Sequence, residues 1–339
     1  LSINKYYSNL IYLNYKFFII TIMDTFLDDF HEKMNDIDFS YYEREDIRLD
    51  KLLGSGYIGE VYEGCLTVLS EGMPIIIKKL HSSSYSYGSE DECLYDDVYS
   101  EVSMWSLMTK CKNIIQFYGY SVKIDGDEVS LYIIMEKTTA KGDLRSYIGD
   151  DEFWVQLTER EYNDSNSQTL LYHDGEYWDY IMSHNDKIEL MIKMTNSVKD
   201  LHDSNVVHSD IKPHNMLYDG ENVKLIDFNA SVYLGDKTEL KGKREQGTPG
   251  YMPKEMYKGD ISYKSDIYEL GVSFLEIWFG DIWPKETDRY DKNRRYVLDY
   301  LSLLEEDNLK IHDLIKRCVT VNHSKRPDLT TILEILTTI

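Results

Sequence analysis

From Ile47 to Glu136, apolar residues come in short runs that alternate with polar ones and are broken by glycine, the pattern of antiparallel strands joined by tight turns. A strand is expected over Glu60–Val68 and another ending in Ile75-Ile76-Ile77-Lys78. Two more, Ile114–Val122 and Val129–Glu136, are joined through Asp125-Gly126-Asp127, a hairpin signal. Val98–Thr109 reads as a helix, and residues 81 to 97, rich in Ser, Tyr and acids, as the loop before it. In the second half the period changes. Apolar residues at 188, 191, 192, 198 and 201 mark an amphipathic helix over Lys187–His202. It delivers the chain into Val206-Val207, after which Asp219-Gly220 turns into a strand over Val223–Ile226. Residues 149 to 180, polar and aromatic, read as an insertion with no assigned function. The class is α+β in two parts, strands first and helices after.

Composition fits a folded body: 339 residues, 42% hydrophobic and 29% charged. Residues 1 to 46 form a leader. Its apolar stretch, Leu10 to Met23, is shorter than the roughly 18 to 20 residues of a membrane span and is interrupted by Asn14 and Lys16. Asp24, Asp28 and Asp29 follow where a signal peptide would place small residues, so no stable membrane span is expected and Met23 is a candidate start. Residues 24 to 46, acidic and polar, read as a flexible leader or a strap on the first part. The net charge of -23 argues against nucleic acid and anionic membrane as partners, while a basic peptide would be attracted. Oligomeric state is not readable. Four cysteines without paired CxxC spacing point to a reducing compartment, the cytoplasm by default, and nine histidines form no metal-binding cluster.

The chemistry concentrates in Val206-Val207-His208-Ser209-Asp210-Ile211-Lys212-Pro213-His214-Asn215-Met216-Leu217, followed twelve residues after Asn215 by Asp227 at the end of an apolar run. Phosphoryl transfer needs a group to orient the attacking hydroxyl, cations to absorb phosphate charge and hard oxygen ligands for Mg2+. Asp210, Lys212, Asn215 and Asp227 can supply all three. Upstream, Gly54-Ser55-Gly56-Tyr57-Ile58-Gly59-Glu60-Val61 matches GxGxxGxV. Such glycines let a backbone approach phosphates closely. A dinucleotide-binding turn would lead into a helix, whereas a strand follows here.

His208-Ser209-Asp210 with Asn215 resembles the catalytic loop of eukaryotic-type protein kinases, and Asp227-Phe228-Asn229 resembles their DFG motif. The resemblance covers about residues 47 to 335. It implies a bilobal fold: a small β-rich N-lobe with one main helix over 47–136, a hinge over 137–142, and a mainly helical C-lobe over 143–339 carrying the insertion at about 149–180. It makes Asp210 the acceptor or orienter of the substrate proton, Lys212 the neutraliser of the moving phosphoryl group, and Asn215 and Asp227 the Mg2+ ligands. For ATP it implies Gly54, Ser55, Gly56, Gly59 and Val61 in the glycine loop, and Ile76 over the adenine where alanine is usual, which narrows the pocket. Lys78 is then the α/β-phosphate ligand, paired with Glu101. Glu92, Asp96 and Asp97 compete for that pairing from outside the helix. Met135 becomes the gatekeeper, Glu136 and Thr138 the hinge, and Leu217 the floor beneath adenine. Asp143 serves the ribose or a basic substrate residue, unless it simply caps a helix. Trp105, one turn from Glu101, is expected to pack toward Phe228 and His208, or otherwise in the core.

Gly247-Thr248-Pro249-Gly250-Tyr251-Met252 resembles the segment preceding APE in serine/threonine kinases, with Thr248 set to bond Asp210 and Lys212. Glu255 is expected to pair with Arg326, and Asp266 to anchor the catalytic loop from a buried helix. Ser209 stands where HRD has arginine, so activity should depend little on activation-loop phosphorylation. Asn229 stands where DFG has glycine, a position asparagine tolerates in left-handed backbone. Pro253-Lys254-Glu255 displaces the proline of APE. The function implied is transfer of the γ-phosphate of ATP, with Mg2+, to Ser or Thr of a protein. The alternative is a pseudokinase or weakly active scaffold, given Ile76, Ser209, Asn229 and Lys254; small-molecule phosphotransferases lack the GTPGYM segment.

Overall fold

The computed structural model describes residues 40–55, 59–68, 72–81, 104–105, 107–108, 111–125, 128–149, 154–157, 170–173, 176–243, 246–280 and 290–339. The chain divides into two compact units, residues 1–109 with 116–137 and residues 110–115 with 138–339. The division after Lys137 falls at the first residue of the expected hinge.

The first unit is a six-stranded sheet. Its strands are β1 (Ser40–Tyr41), β2 (Ile47–Ser55), β3 (Gly59–Leu66), β4 (Met73–His81), β5 (Phe117–Asp125) and β6 (Glu128–Glu136), in the order β1-β5-β6-β4-β3-β2. Strict alternation along β4 sends Ile75 and Ile77 to one face, where they are fully buried against Ile47, Leu66, Tyr132 and Ile134. At the end of the leader Ser40 and Tyr41 pair in parallel with Gly119 and Tyr120. Gly119 makes room for it, because a Cβ there would lie 2.1 Å from the Ser40 carbonyl oxygen. Trp105 is buried and stacked on Phe117, with ring centroids 5.7 Å apart.

The strand expected from Ile114 begins at Phe117 instead. Ile114 bridges Leu225 in parallel, and Ile115 N donates to Leu225 O at 3.0 Å, so this stretch belongs to the second unit.

That unit is mainly helical: α1 (Leu144–Ile148), α2 (His184–Asp203), α3 (Tyr263–Phe279), α4 (Tyr290–Asp307), α5 (Leu309–Cys318) and α6 (Leu329–Leu336). Helix α2 starts three residues before the expected Lys187, because Ser183 caps it by accepting from Asp186 N. Its buried positions are 187, 190, 191, 194, 195, 197, 198 and 201 rather than 188 and 192, so the buried stripe is rotated and takes in Lys187, whose Nζ lies over the Trp278 ring at 5.3 Å from the centroid. Helix α3 is buried at every residue from Ser265 to Phe279. Gly271 lets another backbone approach, since its Cβ would meet Cys318 Cβ at 2.6 Å. The insertion contains a three-stranded antiparallel sheet of Trp154–Leu157, Glu176–Tyr180 and Leu170–His173, in that spatial order. Among the described residues no helix is long and apolar enough to cross a membrane. Residues 1 to 39, including Leu10–Met23, lie outside the described residues.

Candidate active site

In the first unit the register gathers four of the expected nucleotide-binding side chains on one face. Lys78 on β4 is paired with Val61 on β3 and Ile133 on β6, and two residues back Ile76 is paired with Met135. Paired residues share a face, as do positions two apart on one strand, so Val61, Ile76, Lys78 and Met135 lie opposite the Ile75–Ile77 core. At the mouth of the β2–β3 hairpin Gly54 pairs with Val61 and Ser55 with Glu60. A Cβ on Gly54 would meet nothing within 4 Å, whereas one on Gly59 would strike the Lys79 carbonyl at 2.1 Å; the two glycines serve openness and strand packing respectively. Glu136 Oε1 accepts from Gln116 N at 2.8 Å. Gly56 and Glu101 lie outside the described residues, as do Glu92, Asp96 and Asp97.

In the second unit the catalytic loop hangs from α3. Positions 266, 269 and 273 lie on one helical face. Asp266, fully buried, accepts from His208 N through Oδ2 and from Ser209 N through Oδ1, both at 2.9 Å, and from His202 Nε2 at 2.8 Å. One turn on, Glu269 Oε2 accepts from Ile211 N at 2.9 Å, and Ser273 Oγ reaches Ile211 O at 3.4 Å. Two consecutive amides can aim at one carboxylate because Ser209 takes the left-handed conformation, φ 64°, a cost of about 1–3 kcal/mol outside glycine. Gly247 closes over this turn: a Cβ there would lie 2.7 Å from Ser209 O.

The held loop presents Asp210. Its Oδ1 accepts from Thr248 Oγ1 at 2.6 Å, and its Oδ2 accepts from Lys212 Nζ and Asn215 Nδ2, each at 2.8 Å. Lys212 Nζ also donates to Thr248 Oγ1 at 2.5 Å, so the expected Thr248 bridge is present. Burial pushes the Asp210 carboxyl up, but the Lys212 charge and the hydrogen bonds from Lys212 and Thr248 outweigh it and hold the group below the usual carboxylate range.

Asn215 and Asp227 are joined by a hairpin, Met216–Tyr218 against Val223–Leu225, whose turn is closed by Asp219 Oδ1 accepting from Glu221 N and Asn222 N. Ile226 N donates to Asn215 O at 3.0 Å, tying the two ends. Leu217, in this hairpin, bridges Asp143. Asp143 caps α1, accepting from Ser146 N at 2.7 Å, and Thr138 Oγ1 accepts from Ala140 N at 3.3 Å. Phe228 is buried on the His208 ring at 5.1 Å, and His208 Nε2 lies 3.1 Å from the Ile226 carbonyl, which can only accept, so that nitrogen carries the proton.

Among the described residues the non-glycine left-handed positions are Asn205, Ser209 and Asp227; Asn229 does not need the conformation that glycine would supply. Its side chain instead donates to Asp227 Oδ1 at 2.5 Å. Arg326 binds Glu255 through both terminal nitrogens, as expected. The displaced Pro253 is buried, which turns Lys254 outward.

Glu269 was not singled out in the sequence, although an acid three residues after Asp266, flanked by Tyr268 and Leu270, demands a partner if buried. It is fully buried, and among the described residues its Oε1 has none. Burial, with Asp266 and Asp210 adding to it, pushes its carboxyl well above the ordinary value of 4.5. A raised folded value means that the folded chain holds a proton the unfolded chain releases, so this contribution to stability is complete below 4.5 and is lost as pH rises toward the folded value. Glu269→Gln keeps an acceptor for Ile211 N without titrating. Urea midpoints are expected to favour the variant increasingly between pH 5 and pH 8; parallel pH profiles would show that Glu269 is not protonated in the folded chain.

Comparison with known proteins agrees with this geometry. The protein kinase domain model matches residues 47–336. The chain is 31% identical over 234 residues to the serine/threonine-protein kinase KIC1 of Saccharomyces cerevisiae, covering 68% of this chain and 18% of that protein. It is 29% identical over 305 residues to the human serine/threonine-protein kinase Nek2, covering 86% and 59%. Against cysteine-rich receptor-like protein kinase 24 of Arabidopsis thaliana it is 28% identical over 307 residues, covering 84% and 42%. The chain therefore spans less than two thirds of these relatives' own length. It belongs to the protein kinase family.

Proposed function

We propose that the chain transfers the γ-phosphate of ATP to a serine or threonine hydroxyl of a protein substrate, with Mg2+. The observation that carries this reading is the Asp210–Lys212–Thr248–Asn215 cluster: a carboxylate kept ionised, with a cation 2.8 Å away and a hydroxyl bridging both. Asp210 accepts or orients the proton of the attacking hydroxyl, and Lys212 offsets charge on the phosphoryl oxygens. The Lys212–Thr248 bond, together with relatives named as serine/threonine kinases, supports Ser or Thr over Tyr as acceptor.

Donor chemistry fits Mg-ATP. Asn215 and the exposed Asp227 offer hard oxygens at the two ends of one hairpin, and Gly54 leaves open space for a phosphate. Bound Mg-ATP would supply the phosphoryl group and the cation that absorbs its charge. Asn215 and Asp227 would hold the metal. In the first unit Gly54, Ser55, Gly56, Gly59 and Lys78 would hold phosphates, Lys78 steadied by Glu101, while Val61, Ile76, Met135 and Glu136 would receive the adenine. In the second unit Thr138, Asp143 and Leu217 would complete nucleotide recognition.

Thermal unfolding provides the test. At a hundredfold excess over its Kd, ATP with Mg2+ should stabilise the protein by about 2.7 kcal/mol, a rise of roughly 5 °C in Tm for a chain of this size. Omitting Mg2+ or introducing Asp227→Ala should abolish most of the shift. A shift indifferent to both would remove Asp227 from metal binding.

A further inference from the structure

The segment that follows the catalytic loop runs against the charge of the chain. Between residues 237 and 258, its described part holds Lys237, Lys241, Lys243, Lys254 and Lys258 against Glu239 and Glu255, in a chain of net charge -23. Both acids are engaged, Glu239 with Lys241 at 2.9 Å and Glu255 with Arg326. The neighbouring Asp260 takes Gly242 N and lies near Lys241. Lys243, Lys254 and Lys258 are exposed and have no ion pair among the described residues.

The backbone brings the two ends of this segment together. Glu239–Leu240 pairs with Ile261–Ser262, and beyond that ladder Lys243 N donates to Gly259 O at 3.0 Å. The approach requires glycine: Gly259 has φ 75°, and a Cβ on it would lie 1.9 Å from Lys243 O. Lys258 is the chain neighbour of the glycine that Lys243 bonds. Lys258 N and Asp260 N both donate to Glu255 O, a turn that Lys254 immediately precedes. The far end of this fold hangs from Thr248, whose carbonyl accepts from Tyr251 N and Met252 N and whose hydroxyl bonds Asp210. The lysines thus flank the residue that touches the expected general base.

We infer that Lys243, Lys254 and Lys258 form a subsite for anionic side chains of the substrate, so that the chain selects acceptors flanked by acidic or phosphorylated residues. This rests on the proposed kinase activity. Net charge favours basic partners only at long range, and at 0.1 M salt that field is screened beyond about 10 Å. Side chains next to the acceptor meet the local lysines instead, and their complementarity sets which peptide docks.

The test uses four peptides that share one acceptor serine and differ only in flanking residues: glutamate, glutamine, lysine or phosphoserine. With the full chain and Mg-ATP, kcat/KM for the glutamate peptide should exceed that for the lysine peptide by about tenfold, chiefly through KM. The ratio should collapse at high salt, and the triple variant K243E/K254E/K258E should invert it while transferring to the glutamine peptide at the wild-type rate. Preference for the phosphoserine peptide alone would identify the phosphorylated source. A lysine peptide equal or better, or a preference unchanged in the triple variant, would overturn the subsite while leaving the activity intact. Fluorescence anisotropy of the labelled glutamate peptide, without ATP, reads the surface independently. If no peptide is phosphorylated, the activity reading fails, and the subsite then stands or falls on whether the triple variant weakens that binding.

Discussion

Asp210→Asn should lower phosphoryl transfer by about 10²-fold or more, the scale of a lost general base. The substitution preserves shape and leaves the backbone bonds of the loop intact, so folding should survive. The change falls on the carboxylate alone. Asp210 now accepts from Thr248 at one oxygen and from Lys212 and Asn215 at the other. Asparagine has a single acceptor oxygen, so its amide must point NH2 at either the Thr248 hydroxyl or the two nitrogen donors, and the proton acceptor is gone. The measurement is transfer of label from γ-labelled ATP to a protein substrate by both proteins, purified identically. Equal rates would remove Asp210 from the reaction and point to a contaminating kinase. No transfer by the wild type, with the Mg-dependent nucleotide shift retained, would favour the scaffold alternative.

Two of the departures that raised that alternative acquire a physical account. Ser209 leaves the loop without an arginine, yet the backbone at this point is held by Asp266 through two amides, so the loop's shape does not depend on the missing side chain. Asn229 adds a bond to Asp227 instead of supplying a glycine-like backbone. Neither removes a donor that the chemistry requires.

What could be read from sequence was what periodicity and turn chemistry control. Alternation along Ile75–Lys78 and the hairpins at Asp125-Gly126-Asp127 and Asp219-Gly220 are local signals, and strands or pairings follow from them. Thr248, Glu255–Arg326 and Asp266 were legible through resemblance, because their partners lie far away along the chain and no local pattern links them. What escaped was decided by tertiary contact. Ser40–Tyr41 is too short to signal a strand and exists because β5 offers an unpaired edge and Gly119 the space. The sheet within residues 154–180 is built from runs of four and five residues, too short for alternation to separate strand from loop. In Asp227-Phe228-Asn229 the left-handed residue is Asp227, which no local pattern announces.

Asp266→Ala should destabilise the chain by about 3–5 kcal/mol, the range for removing one member of a buried polar network. The carboxylate is fully buried and satisfies His208 N, Ser209 N and His202 at once. Without it two backbone N–H groups remain buried with no acceptor, at about 1–3 kcal/mol each, and the left-handed Ser209 loses what fixes it. Spread over a chain of this length the loss corresponds to a fall of roughly 6–10 °C in Tm. Asp266→Asn, which retains one acceptor oxygen, should lose about half as much, so the ordering wild type, Asn, Ala separates the hydrogen bonds from the filled volume. If the Asn and Ala variants melt together, the amides of His208 and Ser209 do not depend on individual oxygens and the loop is held by packing. If both variants melt lower but keep wild-type kcat/KM below their transitions, Asp266 supports the fold without positioning Asp210. The bonds to the two residues that immediately precede Asp210 lead us to expect that stability and turnover fall together.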